Sequence, residues 1–139
     1  MYNSILLAVD GSDHSIRAAR EAIKVASLTP DSKVIVVYVV DHNKAKDEVL
    51  QSPSITELDA ARRKRLQPVE EALAEHNIDY AVKMLHGTPG PAIVEFANEV
   101  GFDILVIGSR GINALQEMVL GSVSHKVVKR AECPVLIVK

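Results

Sequence analysis

Five short apolar runs, rich in valine and isoleucine, alternate with longer segments in which apolar residues recur every three or four positions. The runs are Ser4–Val9, Lys33–Val40, Asp79–Leu85, Asp103–Gly108 and Pro134–Lys139. Several are continuously hydrophobic, the pattern of strands covered on both faces. The third alternates, with Lys83 among apolar neighbours, and is expected at a sheet edge.

Between the runs the spacing is helical. Ile16, Ala19, Ile23 and Ala26 follow Ser12, a candidate N-cap. A second helix is expected from about Ser54 to Asn77, kinked or split by Pro68. Ile93, Phe96 and Val100 repeat the pattern, with Pro91 near the helix start and Gly101 past its end. Val123, Val127 and Ala131 do so after Ser122, and residues Asp41–Pro53 read as a loop. The order βαβαβαβαβ predicts one doubly wound α/β domain, a five-stranded parallel sheet with helices on both faces.

Composition narrows the function classes. With 139 residues, 47% hydrophobic and 24% charged, the chain reads as one globular domain. A net charge of −2 supplies no global positive field for nucleic acid or an anionic membrane. One cysteine, Cys133, fits a reducing, cytoplasmic setting, where it packs at the start of the last strand. No run reaches the roughly 18 apolar residues of a membrane span, and the start "MYNSILLAVDGS" has no basic region of a signal peptide. The five histidines show no metal-ligand spacing. Arg62–Arg65 (RRKR) is flanked by acids and reads as a solvated helix face. His125 and Lys126 read as surface residues.

The chemistry concentrates in Gly108-x-x-Gly111, nine residues, then Gly121-Ser122. A Walker A string and the GxGxxG fingerprint are both absent, and "AVDGSDHS" only faintly matches the pyrophosphatase loop SGGxDS. Gly108 stands where the fourth strand must leave the sheet, and Gly111 permits a turn of positive φ close to a ligand. Gly121 opens a helix whose first amides, at Ser122, Val123 and Ser124, lack intrahelical partners. Those amides, the helix dipole and two hydroxyls form an anion site without a lysine. Arg110 reads equally as a phosphate contact or a solvated loop arginine.

With "ILLAVDGSDHS", "VYVVD", "GTPGPAIVEFA", the glycine motif and "CPVLIVK", the whole chain resembles the universal stress protein family in its ATP-binding branch. The resemblance implies strand order 3-2-1-4-5, with Asp10 and Gly108 facing one crevice. It implies an adenine and ribose site at Ala8, Val9 and Asp10, with Val39 on the adenine's apolar side. Ile107 and Gly108 would line the ribose end, and Gly111, Gly121, Ser122, Val123 and Ser124 the phosphates of ATP, with Mg²⁺ tolerated. Asp10 has a second reading as the cap of the first helix.

Three function classes compete: an ATP-binding module, a slow Mg-dependent ATPase, and an interaction dimer with an empty site. Neutral amides and hydroxyls bind phosphate but do little to activate water, which favours binding. The last strand is expected at an exposed edge, so Val135, Leu136, Ile137 and Val138 are candidates for a homodimer interface. The resemblance points the same way.

Overall fold

A computed structural model describes residues 1–41, 55–110 and 120–139, with the backbone alone for residues 55–59. The strands are β1 (Ser4–Val9), β2 (Lys33–Val40), β3 (Asp79–His86), β4 (Ile104–Gly108) and β5 (Val135–Val138). The helices are α1 (Asp13–Ala26), α2 (Ile55–Glu75), α3 (Pro89–Val100) and α4 (Ser122–Arg130). All neighbouring strands pair in parallel, in the order β3-β2-β1-β4-β5.

Side-chain alternation divides the core between the two sheet faces. Ile5, Leu7, Val9, Val34, Val36, Tyr38 and Val106 pack with α1 and α2. Leu6, Ala8, Val37, Leu105 and Ile107 pack with α3 and α4. The chain therefore leaves β1 toward one face and β4 toward the other. Since Ala8 pairs with Ile107, both strands end at the same level and their loops diverge there. This is the switch point at which such sheets bind ligands.

Four alanines of α1 (Ala18, Ala19, Ala22, Ala26) are buried, which lets its backbone approach the sheet closely. Ser12 does occupy the N-cap position, but its hydroxyl makes no capping bond. In α3 the buried face is Ile93, Val94 and Ala97, and Val100 is exposed. The extrapolated pattern fails there because Gly101, at φ 81°, ends the helix before its last turn is covered. Lys83 lies on a mostly exposed edge strand, as expected.

The second helix is not split: α2 runs through Pro68. Leu66, Val69 and Leu73 are buried on both sides of the proline, and the ring points to solvent. Packing along one stripe outweighs the lost hydrogen bond. The helix stops at Asn77, in the left-handed region (φ 56°), where the Ile78 N–H returns to the Leu73 carbonyl at 3.0 Å.

Proline costs about 3 kcal/mol against alanine inside a helix, offset by about 0.4–1 kcal/mol because it restricts the unfolded chain. Pro68→Ala should therefore stabilise the protein by about 2 kcal/mol, read as a higher urea midpoint. A lower midpoint would show that the exposed ring contributes packing of its own.

Candidate functional site

The turn after β1 is ordered by Asp10. Its Oδ1 accepts the Ser12 N–H at 2.9 Å and the Ser15 hydroxyl at 2.8 Å, and the Ser15 hydroxyl also accepts the Asp10 N–H at 2.8 Å. Asp10 thus closes an Asx turn on the N-cap residue Ser12 and holds Ser15 of the first turn, without accepting a first-turn amide of α1, so it orders the entry to the helix rather than capping it. Gly11 follows at φ 85°, a conformation side chains rarely adopt. Among the described residues, Ser12 Oγ and His14 Nδ1 are buried without a hydrogen-bond partner.

Across the crevice, the two ends of the glycine motif are tied together. The Gly121 N–H donates to the Ser109 carbonyl at 2.7 Å, and the Ser124 hydroxyl donates to the Gly108 carbonyl at 2.6 Å. Ser109 is buried and joins this junction to β5, its N–H meeting the Val138 carbonyl at 2.7 Å. The proton of the Ser124 hydroxyl and the Gly121 amide are thus both engaged by protein. The helix ladder of α4 begins with His125 N–H to the Gly121 carbonyl at 2.9 Å, so the amides of Ser122, Val123 and Ser124 precede it. Ser122 is exposed, Val123 half-buried and Arg110 half-buried at the rim. Gly111 lies outside the described residues.

Gly108 has a packing role that spacing alone did not reveal. A Cβ there would stand 2.7 Å from His14 Cβ and 3.1 Å from the His14 carbonyl oxygen, so α1 rests directly on the end of β4. Ala8, Val39 and Ile107 form an apolar wall on the opposite face, beside Leu85. Val9 is not part of that wall, because its side chain packs with α1 and α2. What Val9 presents to the crevice is backbone.

Two further residues border the region. Arg65, expected in a solvated row, lays its stem over Gly11 (Cβ 3.1 Å from the position of an added Cβ) and donates to the Tyr38 hydroxyl at 3.1 Å. Lys126, expected on the surface, is half-buried with its stem across Gly90. Cys133 is half-buried against the α3–α4 core, and burial pushes its thiol pKa up, away from thiolate chemistry.

The universal stress protein family model matches residues 1–139. The chain belongs to that family. It is similar to the universal stress protein YxiE of Bacillus subtilis, 36% identical with both chains fully covered. Its fold is similar to that of hypothetical protein MJ0577, at TM-score 0.85 and 28% identity, covering 100% of this chain and 96% of the other. A universal stress protein in complex with cAMP matches at TM-score 0.74 and 28% identity, covering 99% and 96%. One from Archaeoglobus fulgidus in complex with dAMP matches at TM-score 0.72 and 27% identity, covering 99% and 98%.

Gly108, the first glycine of the Gly108-x-x-Gly111 string, has a structural duty in this chain. Gly108→Ala should destabilise the fold by about 1–3 kcal/mol, since the opposing atoms are backbone and Cβ and cannot swing aside. Urea unfolding measures it; an unchanged midpoint would mean that α1 shifts freely at its first turn.

Proposed function

We propose that the crevice between the ends of β1 and β4 binds an adenine nucleotide, with ATP as the physiological ligand. The observation that carries this reading is the closure of the motif, Gly121 onto Ser109 and Ser124 onto Gly108. It sets the first amides of α4 next to Ile107, hence next to the apolar wall of Ala8 and Val39. An apolar wall suits a base, and uncapped amides at a helix N-terminus suit phosphate. Asp10 stands at the adjoining strand end, where a carboxylate suits ribose hydroxyls. Adenine nucleotides in the cAMP and dAMP complexes of related proteins support the reading.

Binding without appreciable turnover follows from the same groups. Amides and hydroxyls stabilise phosphate in the ground state as well as in the transition state, and such uniform binding does not accelerate chemistry. Mg²⁺ would enter with the nucleotide. The protein would then report nucleotide occupancy, a module of stress or energy state rather than an enzyme.

Calorimetric titration should show ATP binding, with phosphate release at the level of a buffer control. Gly121→Val should abolish binding with the circular dichroism melt retained. Gly121 is extended (φ −68°, ψ 164°), so valine is compatible with the backbone there and puts a branched side chain beside the α4 amides. Undiminished affinity in this variant would remove the phosphate assignment.

We further propose a homodimer through β5. Val135, Leu136 and Ile137 are half-buried on an edge strand, and only Val138 is fully buried. Val138 and Leu136 pack toward α1, so their side chains belong to the monomer core. Pro134 and Val138 direct their carbonyls to β4, which leaves the N–H of Ile137 on the outer edge. Proline is accepted at such outward positions. Ile137→Pro should convert a dimer into a folded monomer by light scattering. A wild-type mass of one chain at high micromolar concentration would refute the dimer.

A further inference from the structure

We infer that Lys126 reads the charge of the nucleotide's phosphates, and so makes this site selective for a polyanionic ligand over adenosine. The inference rests on the nucleotide reading of the crevice and adds a residue that the glycine motif does not contain.

Lys126 lies one turn into α4, four residues after Ser122 and three after Val123, on the same side of the helix. Helical side chains lean toward the N-terminus, so its stem points back along the turn that carries the free amides. The direction is fixed by Gly90 in the first turn of α3. A Cβ on Gly90 would stand 2.9 Å from Lys126 Cδ, 3.4 Å from Cβ and 3.5 Å from Cγ. The stem therefore crosses the start of α3, and the ammonium, two bonds beyond Cδ, emerges beside it.

That location is electrostatically unfavourable for a lone cation. The N-termini of α3 and α4 both carry the positive end of a helix dipole. Neither helix has an acidic residue in its first turn, and neither N-cap, Thr88 or Gly121, makes a side-chain capping bond. Among the described residues Lys126 has no ion pair or hydrogen bond. Three positive features thus converge, with no compensating acid among the described residues, on a half-buried stem lying against Gly90. A phosphate at the Ser122–Ser124 amides would balance all three. The benefit grows with ligand charge, because each added phosphate interacts with the same fixed cation.

Two variants test this. Lys126→Met keeps an apolar stem over Gly90 and removes the charge. Gly90→Ala keeps the charge and displaces the stem at Cδ, the one atom closer than ordinary contact, and its φ is open to alanine. Calorimetry with ATP, AMP and adenosine is run on the full chain at two salt concentrations. Lys126→Met should weaken ATP binding about tenfold to a hundredfold, the range for a hydrogen bond to a charged group. AMP should lose less, adenosine nothing, and the salt dependence of ATP binding should flatten. Gly90→Ala should weaken ATP more than adenosine. Equal losses for ATP and adenosine, or none for ATP, would overturn the role of Lys126 and leave the nucleotide reading intact. A wild-type chain that binds neither ATP nor adenosine would overturn both.

Discussion

Gly108 is held from two directions, and the site depends on that clamp. On one face of the sheet His14 presses so close that no side chain fits. From the other face Ser124 donates to the Gly108 carbonyl at 2.6 Å. One residue thereby anchors the first turn of α1 and the first turn of α4, on opposite faces. The β1–α1 turn with Asp10 and the α4 amides are brought to a common crevice by this shared anchor. Glycine serves here by its size, not by an unusual φ, since Gly108 is not among the positive-φ glycines.

The stitching around Gly108 extends the constraint. Ser109 takes the Gly121 N–H through its carbonyl and gives its own N–H to Val138. Motif residues far apart in sequence become neighbours, and the end of β5 is tied to the same point. Asp10 orders the opposite wall through Ser12 and Ser15. Both walls are thus preorganised by protein–protein hydrogen bonds, which lowers the ordering cost of taking a ligand.

What the sequence made legible was whatever has a local cause. Strand limits at Ser4–Val9 and Lys33–Val40 follow from unbroken apolar runs, and the edge position of β3 follows from Lys83. Helix starts were readable where a residue type marks them: Ser12 and Gly121 both stand at N-caps, and Pro91 lies in the first turn of α3. Roles set by distant partners were not legible. The Ser12 hydroxyl makes no capping bond while Asp10 Oδ1 holds the Ser12 N–H in an Asx turn, and the Ser124 hydroxyl turns to a carbonyl of β4. The face of Val9 depends on the register of β1 against the two helix layers, which no local pattern states. Arg65 is exposed like Arg63 and Lys64 of the solvated row, but its contacts were not legible: its stem touches Gly11 and its guanidinium reaches Tyr38, 27 residues away in sequence. Long charged side chains bury their stems where a neighbouring glycine leaves room, and Lys126 on Gly90 repeats the device.

The two sheet edges handle their unpaired backbone differently, and the contrast bears on assembly. β3 is eight residues long, mostly exposed, and carries Asp79, Lys83 and His86. Charges on an edge discourage pairing with another strand, so this edge is protected by its own side chains. β5 is four residues long, VLIV, and carries no charge within the strand. Its inward residues are held by α1 and by the α3–α4 core, so replacing them with charges would damage the monomer. An edge that cannot be charged without loss of the core must be kept short or be covered. β5 is short, and its half-buried apolar surface is of the kind that a second copy of the same strand covers symmetrically. Because Ser109 links the end of β5 to Gly121, a partner at this edge would also steady the Gly121 end of the crevice.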